Sequence, residues 1–321
     1  MDLLTFEPIA KSMLWGGTRL PGFLGVALTP PDGGPVGEAW VLSDVDGSLS
    51  RVAAGPHRGR TLRELIAEFP RELFGDAPPA DGRFPLLLKF IDARQELSVQ
   101  VHPDDAAAVA HQGTGHRGKT EAWVVLAAAP DSRIYAGFRP GVTAADFHAA
   151  VAAGTTPETL HSFAPRPGDV VFLEAGTVHA IGANVLLFEV QQTSDITYRL
   201  YDWGRTDAKT GQPRELHVER GLACAKFAAG PCHPVAAPPS ADGREALVEC
   251  EHFTLHRLVV AGNATLANAA CRALVVAAGR GRLNGLPVAP GAAVLVPACV
   301  REVTIEADEP LTLLDCGLGR P

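Results

Sequence analysis

The chain has 321 residues, 33 of them Gly and 26 Pro, and a formal charge of −8, which allows one large or two ordinary domains with a sizeable core. That acidity argues against binding nucleic acid or anionic membrane, so an anionic ligand needs a local basic pocket. No run reaches the apolar length of a membrane span, the opening MDLLTFEPIAKSMLW lacks a basic leader, and the six cysteines (Cys224, Cys232, Cys250, Cys271, Cys299, Cys316) form no CxxC; a cytoplasmic protein with reduced thiols is expected.

Most segments read as short strands between Gly/Pro turns. In order they are EAWVLSD, PLLLKFIDA, LSVQVH, EAWVVLAA, DVVFLEA, NVLLFEVQQ and ITYRLYDW. Such spacing predicts a β-sandwich or barrel and not a parallel sheet. Two helices interrupt it. TLRELIAEF opens on Thr61 with Glu64 three later, and TAADFHAAVAAG opens on Thr143 with Asp146 three later; both are capping boxes. A Pro/Ala-rich stretch at residues 229–244 reads as a linker. Beyond it FTLHRLVV, RALVVAAG, AAVLVPA and EVTIEA predict a second, smaller β domain. The expected division is a first domain at 1–230 and a second at 240–321.

Two stretches share a local signature. GDVVFLEAGTVH runs from Gly168 through Gly176 to His179, and GAAVLVPACVRE from Gly291 through Pro297 to Glu302. Both resemble the second cupin motif, with complementary departures. The first has Glu174 in place of the proline but keeps the glycine and histidine. The second keeps the proline but has Cys299 and Glu302 in place of the glycine and histidine. The fold class this implies is mainly β: two cupin-like jelly rolls with a few inserted helices, the first able to hold a metal and the second degenerate, without metal ligands, serving packing and pocket closure.

The candidate ligands lie on separate predicted strands. In QELSVQVHPDD, Gln100 and His102 are two apart, so on a strand they share a face. Glu121 in GKTEAW offers a carboxylate, and His179 a second imidazole. Two imidazoles, a carboxylate and an amide oxygen suit zinc or another first-row divalent ion.

PLLLKFIDARQELSVQVHPDD, GKTEAW, GTVHAIG and SDITYRLYDWGR together resemble type I mannose-6-phosphate isomerase in its short bacterial form, and WGGTRL and GEAWVLSD fit it. The similarity is strongest from Phe84 to Arg205 and weak after about Gly230. The resemblance implies one Zn²⁺ held by Gln100, His102, Glu121 and His179, and a phosphorylated hexose as substrate. It implies interconversion of mannose 6-phosphate and fructose 6-phosphate by enediol proton transfer. Arg199 matches an essential arginine of that family, Lys119 shares the face of Glu121, and Asp195 and Glu189 are the carboxylate candidates for proton transfer. Lys89 and Ser98 fall where the family places phosphate contacts. Ile181 replaces an aromatic residue common in longer members, which leaves substrate breadth open. A monomer or homodimer is expected. The alternatives are a cupin dioxygenase using the two histidines and the carboxylate for Fe(II), and a non-catalytic phosphosugar-binding module.

Overall fold

Strands Leu86–Ala93 and Val185–Gln192 are buried at every position, which is why their sequences read as near-continuous apolar runs. A computed structural model describes residues 1–206, 211–236 and 244–319. Part of the expected linker, 237–243, lies outside the described residues. The buried pair sits centrally in a six-stranded sheet ordered Val170–Leu173, Glu121–Ala128, Val185–Gln192, Leu86–Ala93, Ile9–Gly17, Val36–Leu42. A five-stranded sheet is ordered Leu160–Phe163, Ile134–Phe138, His179–Ile181, Val99–Val101, Tyr198–Tyr201. All pairings in both are antiparallel.

Alternation divides the six-stranded sheet's side chains between two cores. Leu88, Phe90, Phe188, Val190 and Val124 join one cluster, which also contains Phe253, Leu255, Val275 and Leu314 from the C-terminal region. Ile91, Trp123, Val125 and Leu187 join a second, with Ile134 and Ile181 from the five-stranded sheet. The six-stranded sheet is therefore the middle layer, between the five-stranded sheet and the C-terminal region. Its face toward the five-stranded sheet also carries Lys89 and Glu189, directly opposite each other in register, so the site is built into this interlayer.

The C-terminal region has a six-stranded and a four-stranded antiparallel sheet, with Leu274, Val276, Val294, Val303, Ile305 and Leu313 in one cluster. The short strand Leu4–Thr5 pairs with Leu295 and Val294. The start of the chain is thus woven into the C-terminal sheet, across the division expected near residues 230–240. Cys299 is exposed, its thiol donating to the Met1 carbonyl at 3.6 Å, and exposed Glu302 pairs with Ala267 on a strand.

Both capping boxes form, on helices Leu62–Glu68 and Ala144–Ala153. A further helix, Asp105–Gln112, is capped by the Asp104 side chain on the Ala107 amide. The glycine of GDVVFLEAGTVH has a steric cause. Gly176 has φ +90°, and a Cβ there would meet the Cys224 carbonyl oxygen and Lys226 Cγ, each at 2.8 Å. Its amide donates to the His102 carbonyl at 2.8 Å, tying the turn before His179 to the other histidine. Glu174, at the proline position, is exposed, where that departure is tolerated.

Left-handed backbone at a non-glycine residue costs on the order of 1–3 kcal/mol. Gly176→Ala is therefore expected to lower the free energy of urea unfolding by about that amount or more, with weaker metal retention as both histidines shift. Wild-type stability in this variant would show that the turn does not depend on glycine.

Candidate metal centre and active site

His102, Glu121 and His179 come together between the two sheets, with one potential ligand atom from each lying within 4.8 Å of the others. Glu121 opens a strand of the six-stranded sheet. His179 opens a strand of the five-stranded sheet opposite Gln100, and His102 follows Gln100 by two. Both imidazoles are oriented from behind. His102 Nδ1 lies 2.8 Å from the Ile196 carbonyl oxygen and His179 Nδ1 2.9 Å from that of Thr177. Donation from each Nδ1–H leaves the Nε2 lone pair for a ligand. The two Nε2 atoms stand 3.5 and 3.3 Å from opposite oxygens of Glu121.

The carboxylate of Glu121 is the strongest indication of a cation site. It is 1% exposed, and neither oxygen accepts a hydrogen bond. The Lys119 ammonium is 2.8 Å from Oε2, a contact it shares with Glu189 at 3.6 Å. Burial first, then the charge of Glu189, pushes the Glu121 pKa up to about 7 against the pull of Lys119. Burial pushes His179 down to about 4 and His102 well below its ordinary value, so both imidazoles are neutral at pH 7. Two neutral imidazoles aimed at a buried carboxylate that shares its one ammonium with Glu189 form a donor set that suits a divalent cation. The Gln100 amide lies beside this set. Its Nε2 is 3.3 Å from His179 Nε2, and half a turn of the amide brings the carbonyl oxygen there instead.

Charges alternate outward from Glu121. Lys119 Nζ reaches Glu121 at 2.8 Å, His102 Nε2 at 3.1 Å and Glu189 Oε1 at 3.6 Å. Lys89 Nζ lies between Glu189 at 3.1 Å and Glu38 at 3.4 Å. Two indoles fix the carboxylates, Trp123 donating to Glu189 at 2.9 Å and Trp40 to Glu38 at 2.7 Å. Burial raises the Glu189 pKa, but Lys89 and Lys119 outweigh it and leave the carboxyl below its usual range. Burial disfavours the Lys89 charge, yet Glu189 and Glu38 hold it protonated.

A cavity of about 300 Å³ opens above this floor, lined by Lys89, Ser98, Gln100, Lys119, Glu189, Asp195 and Arg199 among others. Every residue singled out from the sequence thus lies in the cavity or the metal cluster. Arg199 is directly opposite Gln100 on the neighbouring strand; its Nη1 donates to the Glu215 carbonyl at 2.8 Å, and its Nε is buried without a partner. The Ser98 hydroxyl donates to Gln100 Oε1 at 3.4 Å. Asp195 is exposed at the cavity mouth. Crowding by the surrounding walls still raises its carboxyl, chiefly by desolvation and against the pull of Lys89. Ile181 lines the wall. The sequence reading missed Glu38 and Arg214, which also line it. Glu38 alternates with Trp40 in EAWVLSD, a signal for a shared face; Arg214 follows the strand Tyr198–Tyr201 in irregular chain, where no periodicity marks it.

Residues 3–137 match the family described as phosphomannose isomerase type I, catalytic domain. The chain is 38% identical over 265 residues to mannose-6-phosphate isomerase ManA of Bacillus subtilis, spanning 82% of this chain and 81% of the relative. It is 36% identical over 274 residues to the mannose-6-phosphate isomerase of Streptococcus mutans, spanning 84% and 83%. The crystal structure of a mannose 6-phosphate isomerase from Bacillus subtilis superposes with a TM-score of 0.89 at 30% identity, covering 99% of this chain and 100% of that one.

Glu121→Gln should lower metal affinity by at least the 10–100-fold typical of losing an outer-shell partner, read as metal content after dialysis. Metal-free stability supplies a second readout. A carboxyl raised from 4.5 to about 7 by folding contributes stability that is complete below pH 4.5 and lost as pH rises to about 7. The metal-free variant should therefore gain in Tm over wild type across that window and level off above it, and added metal should reverse the order. Unchanged metal content would remove Glu121 from the ligand set.

Proposed function

This chain belongs to the phosphomannose isomerase type I family, and we infer that it interconverts mannose 6-phosphate and fructose 6-phosphate above the His102–Glu121–His179 floor. The observation that carries the site assignment is the buried Glu121 carboxylate, set between two neutral imidazoles with the Lys119 ammonium, shared with Glu189, as its cationic neighbour. The inferred ion is zinc, one per chain, with Gln100 as the fourth donor; another first-row divalent cation would fit the same set. A divalent ion at this position supplies positive charge that polarises the substrate's carbonyl and hydroxyl oxygens. The six cysteines are free thiols, which supports a reducing, cytoplasmic setting.

Aldose–ketose interconversion moves a proton between C1 and C2 and places transient negative charge on the adjacent oxygens. The base must reach the substrate and must not be locked in an ion pair. Glu189 is bonded by Trp123 and flanked by Lys89 and Lys119, and Glu38 is held by Trp40 and Lys89. Asp195 lines the cavity mouth, its carboxyl is raised, and among the described residues no cation lies within ion-pair distance of it. We therefore assign proton transfer to Asp195. Arg199, opposite Gln100, brings a guanidinium beside the oxygens that gain charge and stays protonated while stabilising them. Lys119 is the cation between Glu121 and Glu189, within reach of the same oxygens. Lys89 and Ser98 face the substrate space, where Lys89 also balances Glu38 and Glu189.

Arg199→Ala should lower kcat about 10²–10³-fold, as expected for losing one preorganised donor, with a smaller change in KM and near-wild-type metal content. Arg199→Lys should recover only part of the loss, because an ammonium lacks the planar fork. Asp195→Asn should lower kcat with metal content intact. Steady-state kinetics on mannose 6-phosphate, with metal analysis of each preparation, checks all three. An unchanged kcat in either Arg199→Ala or Asp195→Asn would remove that residue from the chemistry.

A further inference from the structure

The cavity needs a grip for the substrate's phosphate, a group carrying between one and two negative charges near neutral pH. The floor's own cations are already engaged. Lys119 is committed to Glu121 and Glu189, and Lys89 lies between Glu189 and Glu38. An anion placed against either would sit among three carboxylates.

The rim beyond Arg199 has the opposite balance. Asp202, 6% exposed, accepts from Arg214 Nε at 2.8 Å on one oxygen and from Arg214 Nη2 at 2.5 Å on the other. This bidentate clamp fixes the guanidinium plane. Arg205 donates to the same carboxylate and to the Glu96 carbonyl. Arg214 lines the cavity beside Arg199 and Ser98, close enough that its charge opposes the ionised form of Arg199. Two guanidinium groups bind the Asp202 carboxylate and a third, Arg199, lies within its field with Glu215 as the other nearby acid, in a chain whose net charge is −8.

The position along the strands also fits. His102, Gln100 and Ser98 step outward on one face. Asp202 lies toward the Ser98 end, because its neighbour Trp203 donates to the Leu97 carbonyl at 2.7 Å. Two strand residues from Gln100 to Ser98 span about 7 Å. Six bonds separate C2 of a hexose 6-phosphate from phosphorus, about 7.5 Å in an extended zigzag in which each bond of about 1.5 Å advances roughly 1.25 Å. A substrate with C1 and C2 at the floor carries its phosphate to this rim.

We propose that Arg214, held rigid by Asp202, is the principal phosphate-binding residue of the cavity, with Ser98 as a neutral neighbour, and that it sets the preference for phosphorylated sugars. This rests on the isomerase reading above, which supplies the sugar's orientation. Arg199 keeps the reacting oxygens; Arg214 holds the far end.

The test compares wild type, Arg214→Ala and Arg214→Lys, each checked for circular dichroism and metal content. Steady-state kinetics on mannose 6-phosphate are measured beside a thermal-shift titration with inorganic phosphate. A hydrogen bond to a charged group contributes about 1.5–3 kcal/mol, or roughly 10–150-fold in an equilibrium constant. KM should rise by that factor in Arg214→Ala with a much smaller change in kcat, and phosphate should no longer raise its Tm. Arg214→Lys, which keeps the charge without the fork, should fall between. A folded, metal-replete Arg214→Ala with unchanged KM and unchanged response to phosphate would overturn the proposal. So would a loss confined to kcat, which a merely structural role beside Arg199 produces. If wild type fails to turn over mannose 6-phosphate, the isomerase reading falls, and the phosphate titration still decides whether Arg214 binds the anion.

Discussion

A carboxylate buried to 1% exposure, with neither oxygen accepting a hydrogen bond, is unstable as an anion unless a cation stands beside it. Glu121 is that group, and much of the interlayer is arranged around it. The two imidazoles cannot neutralise it, because burial keeps them uncharged. Lys119 does so only in part, being shared with Glu189. A divalent ion satisfies the carboxylate and both Nε2 lone pairs at once. The two sheets supply opposite sides of the His102–Glu121–His179 cluster, so an ion held there would also tie the sheets together.

The same low-dielectric layer explains the alternation Glu121, Lys119, Glu189, Lys89, Glu38. A lone charge there would be costly, but each one has a neighbour of opposite sign within 2.8–3.6 Å. Trp123 donates to the Glu189 oxygen that the two lysines do not approach, Trp40 donates to the Glu38 oxygen that Lys89 also approaches, and the two indoles restrain both acids. The network engages its own acids, whereas Asp195, at the solvent edge, is in no ion pair among the described residues, which is the ground for assigning proton transfer to it. It also leaves the floor unsuited to a second anion, which is why the phosphate is proposed to lie outward at the arginines.

Much of this was legible in the sequence because strand alternation is local. Gln100 and His102 on one face follow from their spacing, as do both capping boxes and the glycine before His179. The Asp105–Gln112 helix was missed although HPDDAAAVAHQG carries its signals: an aspartate at the cap and a glycine at the end. The pairing of Leu4–Thr5 with Val294 and Leu295 joins residues almost 290 apart, and no periodicity within a short window reports it. Glu38 and Arg214 were hidden for a related reason. Their roles come from cross-strand neighbours and a loop clamp, while each taken alone looks like an ordinary charged residue. Lys89 shows the converse: its place in the cavity was legible, but its engagement by two carboxylates depends on register with Glu189 and on the neighbouring strand that carries Glu38.

The central claim is that one divalent ion on the Glu121 floor is required for isomerisation of mannose 6-phosphate. The most direct measurement is a coupled assay of fructose 6-phosphate formation, on the protein as purified, after exhaustive chelation, and after titration with zinc, with bound metal quantified at each step. Activity that disappears with the metal and returns in proportion to it, saturating at one ion per chain, is the predicted result. Full turnover by a preparation shown to hold far less than one ion per chain would contradict the account.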